Sequence, residues 1–449
     1  MRRQAEAHLG HAWLPAVLPA GASRLFVSDP VLAEVLRDAG GEVVDTDADV
    51  EIGPPAELVG DAALAMSPIG DPAPDVRSFA SRAAGRLGGA ALVRTQAVRA
   101  ARSLRRASYP EIELFAWDPG HRLALGTRTR PSLAERLPRR VVVVGRRGPR
   151  EPTLLEAAIE DAAAEVQRPL RLEWASPRAG PTTAALDDGL LRVAVGPARG
   201  QLERQAAAHA ALWQARLPRH ASELISWLEA RGRTGLADWS LERLMRGARP
   251  AVPLSEQVLA GCVEFLVALH GADGAADATS TAETAAAFCP PPEAAAIVSL
   301  GGRLDARLAD VPRGFAHGDF FHGNLLVEGD RLVGVVDWDA SGPGRLPLLD
   351  LLHLRHMSER RPSDLDWGPA LIEHLLPWAH GGSDAATREY CRRVGLEPLP
   401  DTLVALVAAY WLDRLAYQLA TYADRAGRRR WIERNVAFVL QALAAESLT

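Results

Sequence analysis

The sequence predicts an α/β domain followed by an α+β domain, and three observations support this fold class. Between Arg24 and Arg147, short apolar runs alternate with segments of helical period, which is typical of a layered α/β domain. The turn-rich stretch RRGPREP, which ends at Pro152, marks a domain boundary. Beyond it the chain reads as helices and strand pairs and then, from Leu254, as mostly helix with one β-hairpin. The predicted α/β domain is residues 1–150. The α+β part is divided into residues 151–247 and residues 248–449.

The composition favours a folded protein that acts on a small molecule. Of the 449 residues, 48% are hydrophobic and 24% are charged, close to the averages of globular proteins. The formal net charge of -5 provides no general attraction to nucleic acid or to anionic lipid. All 51 basic residues are arginine, so any task that lysine usually performs falls to arginine here. We therefore expect a small-molecule partner and neither a nucleic-acid nor a membrane partner.

Cysteine usage and apolar runs point to a cytoplasmic protein. Cys262, Cys289 and Cys391 are far apart and lack the spacing of a metal site or a disulfide framework. Pro15 and Pro19 interrupt the apolar run near the start, which disfavours a secretory signal. No stretch reaches the roughly 20 apolar residues that a membrane span needs.

The end of the α/β region carries a recognisable order of elements. A long helical segment, TQAVRAARSLRRAS, is followed by the strand-like runs EIELFAW and RRVVVVG. This order resembles the tail of a methyltransferase-like Rossmann sheet. However, no glycine cluster follows the first strand, where such folds bind their cofactor. The sequence thus predicts a Rossmann-like domain at 1–150 that is not an active methyltransferase and has no assigned role.

The most informative segment runs from residue 314 to residue 354 and contains a predicted hairpin. Two apolar runs, NLLV from Asn324 and LVGVVD up to Asp337, flank the turn residues 328–331. With Val327 opposite Leu332, Asn324 faces Val335, and Asp337 becomes its diagonal neighbour at roughly 7 to 8 Å. The hairpin is therefore predicted to bring an amide and a carboxylate to one open end.

These side chains suit phosphoryl transfer. Asp319 lies five residues before Asn324, in a short loop that leads to the same end of the hairpin. Oxygen ligands such as those of Asn324 and Asp337 are preferred by Mg²⁺, which bridges nucleotide phosphates, while a further carboxylate accepts the proton of an attacking hydroxyl. We predict Asp319 as the catalytic base, with Asn324 and Asp337 as the metal ligands.

The motifs His317-Gly318-Asp319-x4-Asn324 and Val336-Asp337-Trp338 resemble the catalytic loop and metal-binding aspartate of the aminoglycoside-phosphotransferase and choline-kinase group. This group shares the bilobal, α+β protein-kinase fold, and the resemblance extends with weaker similarity from about Leu170 to the C-terminus. It implies that residues 151–247 are the nucleotide-binding lobe and residues 248–449 the catalytic and substrate lobe. It further implies that Asp350 anchors the catalytic loop and that His317 holds it structurally.

The resemblance also assigns nucleotide-binding residues. The loop from residue 176 to residue 183 is expected over the phosphates, with Gly180 allowing close backbone approach. Arg192 stands where the family carries a phosphate-pairing lysine, and its expected helix partner is Glu203 or Gln205, which cannot both face it. The backbone from Glu242 to Leu244 is expected to meet the nucleotide base.

The predicted function is an Mg²⁺-dependent transfer of the γ-phosphate of ATP or GTP to a small-molecule hydroxyl. The alternatives are a pseudokinase that only binds nucleotide, which the missing lysine and Gln205 suggest, and a peptide or protein kinase that uses residues 1–150 for docking. Residues 351–449 contain 12 arginines and 12 acidic residues, which disfavours a polycationic aminoglycoside over a sugar, nucleoside or amino alcohol. The sequence leaves the acceptor, the choice between ATP and GTP, and the oligomeric state open.

Overall fold

The computed structural model describes residues 13–45, 48–53, 64–70, 97–117 without 98, 108 and 110, 140–177 without 148, 180–271, 278–359, 367–421 without 382, and 429–446. The chain divides into two units. Residues 7–202 and 228–244 form the first, here called the sheet unit. The second, called the helical unit, contains residues 203–227 and 245–449.

A six-stranded sheet forms the N-terminal part of the sheet unit, with strand order β2-β1-β3-β4-β6-β5. Strands β1 to β4 pair in parallel, whereas β6 runs antiparallel to both β4 and β5. Asp29 caps the helix after β1 by accepting hydrogen bonds from the next turn. The elements are α1 (Leu14–Val17), β1 (Arg24–Val27), α2 (Pro30–Asp38), β2 (Glu42–Val43), β3 (Val50–Ile52), β4 (Leu64–Gly70), β5 (Glu111–Trp117) and β6 (Arg140–Arg146).

The second sheet of this unit has five antiparallel strands in the order β10-β11-β9-β8-β7. A capping box between Thr153 and Glu156 starts the helix that precedes it, because each residue satisfies a backbone N–H that the helix leaves unpaired. The elements are α3 (Leu154–Glu165), β7 (Leu172–Pro177), β8 (Thr182–Leu186), β9 (Gly189–Val195), α4 (Arg199–Gln214), β10 (Leu228–Thr234) and β11 (Ala237–Glu242).

One hydrophobic core serves both sheets of the sheet unit. Leu25 and Val144 from the first sheet belong to the same buried cluster as Leu191 and Trp239 from the second. Backbone hydrogen bonds cross the turn-rich stretch as well, since the Leu154 N–H donates to the Leu18 carbonyl at 2.8 Å. The stretch that ends at Pro152 therefore joins two parts of one core.

Two arginines of the second sheet region hold the end of helix α2. Arg233 Nη2 and Arg199 Nη2 donate to the carbonyl of Ala39 at 2.6 and 2.9 Å. The last carbonyls of a helix lack intrahelical donors and carry partial negative charge, so guanidinium groups stabilise them. These contacts reinforce the shared core of the sheet unit.

The helical unit is built mainly from helices, as predicted from Leu254 onward. Helix α13 supplies many residues of its buried core, among them the run from Leu403 to Leu412. The helices are α5 (Arg219–Ser222), α6 (Glu256–His270), α7 (Ala278–Ala286), α8 (Pro291–Arg307), α9 (Leu349–Glu359), α10 (Trp367–Ala370), α11 (Leu376–Gly381), α12 (Ala385–Val394), α13 (Pro400–Thr421), α14 (Arg429–Ile432) and α15 (Phe438–Ala445). Among the described helices, none has the length and apolar character needed to cross a bilayer.

Two short antiparallel pairs interrupt the helices and carry the candidate site. One joins β12 (Gly314–Ala316) to β15 (Gly342–Arg345), and the other joins β13 (Leu325–Glu328) to β14 (Arg331–Val335). The catalytic loop predicted from the sequence lies between β12 and β13. The two pairs therefore fix both ends of that loop.

Candidate active site

The predicted hairpin is present and contains a β-bulge. Val327 lies opposite Leu332, as predicted, but the next pair is Leu326 with Gly334. Val333 is thus an extra residue on β14, which bends the strand and shifts the pairing beyond it. A Cβ at Gly334 would lie 3.1 Å from the Met245 side chain, so the small residue accommodates the bend.

The bulge makes the predicted pairing of Asn324 with Val335 wrong. The Val336 N–H donates to the Asn324 carbonyl at 3.0 Å, so Asn324 lies opposite Val336. The prediction assumes that each residue on one strand faces one residue on the other. This assumption fails here because β14 contains the extra residue. Asp337 comes next and has a φ of 75°, outside the extended strand conformation. Its side-chain direction is therefore set by this backbone turn and not by strand alternation.

Asp350 anchors the catalytic loop from helix α9. Its two carboxylate oxygens accept from the backbone N–H groups of His317 and Gly318 at 2.7 and 2.8 Å. Gly318 has a φ of 78°, and a Cβ there would lie 2.3 Å from the Ala340 carbonyl oxygen. Burial raises the pKa of Asp350, against the lowering effect of His317 and the two N–H donors. Asp350 therefore fixes the backbone at the start of the loop through two N–H groups.

His317 ties the loop to the segment that leads to Asp337. Its ring is fully buried, and Nε2 lies 3.2 Å from the carbonyl oxygen of Val336. Its Nδ1 accepts a hydrogen bond from the Asp319 N–H at 3.3 Å. Burial lowers the pKa of His317 despite nearby carboxylates. A neutral ring protonated on Nε2 satisfies both contacts.

Among the described residues, three side chains contact the Asp319 carboxylate. Asn324 Nδ2 donates to its Oδ2 at 3.0 Å and to its backbone carbonyl at 2.9 Å. Arg414 Nη2 donates to Oδ1 at 2.9 Å, and His353 Nε2 lies 3.2 Å from the same oxygen. Sequence reasoning missed Arg414 and His353, which lie 95 and 34 residues away along the chain.

The partners of Asp319 set its charge state. Burial by itself would raise the pKa of Asp319, but the His353 hydrogen bond and the Arg414 charge outweigh it and hold that pKa well below its usual range. Burial and the Arg414 charge lower the pKa of His353 to about 4. At neutral pH Asp319 is therefore a carboxylate, and His353 is a neutral donor whose Nδ1 accepts from the Tyr410 hydroxyl at 2.9 Å.

Asn324 and Asp337 have the donor chemistry that Mg²⁺ prefers. Because Asn324 turns its Nδ2 toward Asp319, its amide oxygen Oδ1 is the atom available to a cation. Mg²⁺ usually takes only one or two protein oxygens and fills its shell with water and phosphate. Within the described residues no group of three or more His, Cys, Asp or Glu side chains could hold a metal. Asn324 and Asp337 could supply one amide and one carboxylate oxygen to such an ion.

In the sheet unit, Arg192 pairs with Glu242. Arg192 Nε lies 2.7 Å from Glu242 Oε1, and the glutamate side chain is fully buried. Arg192 is opposite Ser240 in the β9–β11 ladder, so Glu242 is its diagonal neighbour on the same face. Glu203 is exposed and Gln205 is 1% exposed. The sheet register thus gives Arg192 a carboxylate partner on the neighbouring strand β11.

The other residues predicted for the nucleotide lobe lie at strand ends. Gly180 has a φ of 115°, and a Cβ there would lie 2.5 Å from Gln201 Oε1, so this part of the loop needs glycine. Residues 178 and 179 of the same loop lie outside the described residues. Leu244 is half-buried and follows the end of β11 by two residues.

Replacing Arg192 by methionine is expected to destabilise the fold by about 3–5 kcal/mol, because it removes the guanidinium that lies 2.7 Å from the buried Glu242 carboxylate. Urea unfolding followed by circular dichroism measures this cost. Adding Glu242→Gln to the same chain should restore most of the stability, since a neutral amide replaces the buried charge. Ordinary surface substitutions change the free energy of unfolding by up to about 0.5 kcal/mol. If Arg192→Met alone changes it by no more than that, the ion pair does not stabilise the fold.

A cavity of 610 Å³ lies within the helical unit beside the candidate site. Alanines of α4 and α13 form much of its wall, and residues 339–345 close one side. Its charged groups are two arginines and two aspartates. Arg345 Nη1 lies 2.7 Å from Asp413 Oδ1, and Arg204 Nη2 lies 4.0 Å from Asp339 Oδ2. The cavity therefore combines small apolar walls with balanced charge.

Comparison with protein families matches residues 182–390 to the phosphotransferase enzyme family, abbreviated APH. The matched segment contains β9, the catalytic loop, the hairpin and Asp350. A comparison with curated protein sequences finds no match.

Solved structures of aminoglycoside phosphotransferases are similar to the chain at low identity. APH(2'')-Ib bound to ADP is 14% identical, with 64% of this chain and 97% of that chain covered and a TM-score of 0.40. For APH(4)-Ia the identity is 16%, the coverage 64% and 98%, and the TM-score 0.40. APH(3'')-Id from Streptomyces rimosus with ADP and streptomycin is 16% identical, with 52% and 90% covered and a TM-score of 0.37.

Proposed function

We propose that the chain, whose residues 182–390 match the phosphotransferase enzyme family, transfers the γ-phosphoryl group of ATP or GTP to a small-molecule hydroxyl with the help of Mg²⁺. The observation that carries the proposal is the Asp319 carboxylate, held on three sides at the end of a loop that Asp350 anchors. Such a fixed carboxylate suits the orientation of an attacking hydroxyl.

Each residue of the site has a distinct role in this proposal. Asp319 accepts a hydrogen bond from the acceptor hydroxyl and takes its proton as the new bond to phosphorus forms. Asn324 and Asp337 hold Mg²⁺, which when bound neutralises charge on the phosphate oxygens. The loop at Gly180 and the Arg192 side chain serve the phosphates, and the backbone from Glu242 to Leu244 serves the base.

The low pKa of Asp319 fits a transition state in which the proton leaves late. A carboxylate paired with arginine is a weak base, so it gains little by removing the proton early. In a loose transition state the γ-phosphoryl group is largely detached before the acceptor oxygen needs its full charge. Orientation of the hydroxyl is therefore the larger contribution expected of Asp319.

We assign the acceptor to the cavity of the helical unit. Asp413, in the cavity wall, directly precedes Arg414, whose side chain bonds Asp319. The loop that closes one side of the cavity begins at Asp339, two residues after Asp337. Because its two aspartates are matched by two arginines, the cavity has no excess negative charge to attract a polycation. A neutral or zwitterionic hydroxyl compound, such as a sugar, nucleoside or amino alcohol, fits this charge balance better than a polycationic aminoglycoside.

A screen of hydroxyl compounds tests the proposal. The purified chain is incubated with Mg²⁺, ATP or GTP, and a panel of neutral, zwitterionic and polycationic acceptors, and phosphorylated products are identified by mass spectrometry. Transfer to neutral or zwitterionic members is the expected result. Transfer only to polycations would refute the acceptor class, and nucleotide binding without transfer to any hydroxyl or to water would favour the pseudokinase alternative.

The N-terminal sheet has features of a Rossmann-like domain. Four neighbouring strands are parallel, and the antiparallel β6 lies between β4 and β5 at one edge. We propose that residues 1–150 are such a domain without cofactor chemistry. The connection from β1 to α2 is Ser28-Asp29, with Pro30 opening the helix, so it lacks the glycines that admit a cofactor.

The full chain is accordingly expected not to bind S-adenosylmethionine. Titration calorimetry with the full chain and S-adenosylmethionine tests this directly, with ATP and Mg²⁺ as the positive control. Saturable binding at micromolar concentration would instead indicate that residues 1–150 act as a methyltransferase-like domain in addition to the proposed phosphotransferase activity.

We further propose a cytoplasmic location, where ATP and GTP are plentiful and thiols stay reduced. The three cysteines are free in the structure, with Cys262 and Cys391 buried. Burial raises the pKa of Cys262 to about 12, so this thiol is unreactive at neutral pH.

A further inference from the structure

Arg414 reaches the catalytic loop from the centre of helix α13. Its side chain is 7% exposed and bonds the loop twice. Nη2 donates to Asp319 Oδ1 at 2.9 Å, and Nη1 donates to the Gly318 carbonyl. One planar fork therefore fixes the backbone and the carboxylate of the loop relative to each other.

The charges around Arg414 make Asp319 its counter-ion. The other nearby carboxylate, Asp413, is already paired with Arg345 through both of its oxygens, at 2.7 and 3.2 Å. A buried guanidinium needs an anion to offset its lost hydration. Tyr417 adds its ring, whose centre lies 4.5 Å from the guanidinium carbon of Arg414. Asp319 is thus the carboxylate that offsets the charge of the buried Arg414 guanidinium.

The contacts divide the two oxygens of Asp319 between two tasks. Oδ1 accepts from Arg414 and His353, both of which are buried. Oδ2 accepts from Asn324, and the Asp319 side chain is 20% exposed. A carboxylate oxygen with one partner has room for a further donor, whereas Oδ1 has its two lone-pair directions filled.

We propose that Arg414 is a positioning residue for catalysis, which holds Oδ1 of Asp319 so that Oδ2 faces the acceptor hydroxyl. His353, held in turn by Tyr410, supports the same oxygen from helix α9. The inference rests on the proposed phosphotransferase function and adds that α13, through Arg414, determines the orientation of the base. Neither residue is expected to touch the acceptor or the nucleotide.

A double-mutant cycle separates positioning from simple structural support. Arg414→Met is expected to lower kcat by about 10²-fold, the loss typical of a misplaced reacting group, with little change in the KM for nucleotide. In a chain that already carries Asp319→Asn, the same change should lower the remaining kcat by less than about threefold, because groups that act as one unit are not additive. Arg414→Lys should recover part of the loss in the unchanged background.

Arg393→Met serves as the matched control, since Arg393 is exposed on helix α12 and should leave kcat and KM unchanged. Melting temperatures are measured for every variant, and if Arg414→Met does not fold, the comparison is made with Arg414→Lys in both backgrounds. The inference would be overturned if Arg414→Met lowered kcat by the same factor in the unchanged chain and in the Asp319→Asn chain. An Arg414 variant with unchanged kcat would overturn it as well. Absence of any phosphoryl transfer by the unchanged chain would instead refute the proposed function.

Discussion

Asp319→Asn is expected to lower turnover by about 10² to 10⁴-fold, because it removes the carboxylate that both orients the acceptor hydroxyl and takes its proton. The asparagine keeps the size of the side chain but cannot accept the acceptor proton. Nucleotide affinity should stay close to that of the unchanged chain, because Asn324 and Asp337 are retained. Steady-state kinetics measures the loss, and titration calorimetry measures nucleotide binding.

The same change should also lower the melting temperature. Arg414 is buried beside Asp319 and would lose the charge that offsets its burial. Asp310→Asn is the matched control, since Asp310 is exposed and lies outside the catalytic loop. Turnover within twofold of the unchanged chain, in a variant with normal nucleotide affinity, would remove Asp319 from its catalytic role.

Asp337→Ala is expected to abolish Mg²⁺-dependent nucleotide binding. Mg²⁺ holds its water shell firmly, and the single neutral amide oxygen of Asn324 does not compete with water for it. Calorimetric titration of ATP or GTP in the presence of Mg²⁺ measures the effect, and the same titration with EDTA gives the metal-free baseline. The Asp337→Ala chain should bind nucleotide no more tightly with Mg²⁺ than with EDTA.

Backbone conformation at position 337 calls for a second variant. Because Asp337 has a φ of 75°, alanine strains the backbone there, whereas asparagine tolerates this region. Asp337→Asn should therefore fold as well as the unchanged chain and still bind nucleotide weakly with Mg²⁺. Wild-type affinity with Mg²⁺ in both variants would show that the metal is held elsewhere.

Local sequence was enough to predict the catalytic loop and the presence of the hairpin. His317, Asp319 and Asn324 lie within eight residues, and the turn at 328–331 is flanked by two apolar runs. Covalent connection keeps such residues close in any fold, so their spacing carries geometric information. The roles assigned to Asp319, Asn324 and Asp337 remain predictions that the variants above test.

The register of the hairpin was predictable only up to the bulge. Alternation of apolar residues indicates which strands pair, but an extra residue such as Val333 does not disturb the composition of the strand. Its position depends on packing around Gly334, where the Met245 side chain approaches. The error in the pairing of Asn324 has this physical origin.

The sequence by itself determined the order of α/β and α+β elements, the catalytic motif and the absence of lysine at position 192. Only the tertiary structure decided which charges meet: Arg192 with Glu242, 50 residues apart, and Asp319 with Arg414, 95 residues apart. Contacts at such separations depend on how sheets align and helices pack around a core. With 51 arginines and 56 acidic residues in the chain, spacing alone does not indicate which of them will be buried together. Burial in the core selects these pairs, because a desolvated charge is stable only beside its counter-ion.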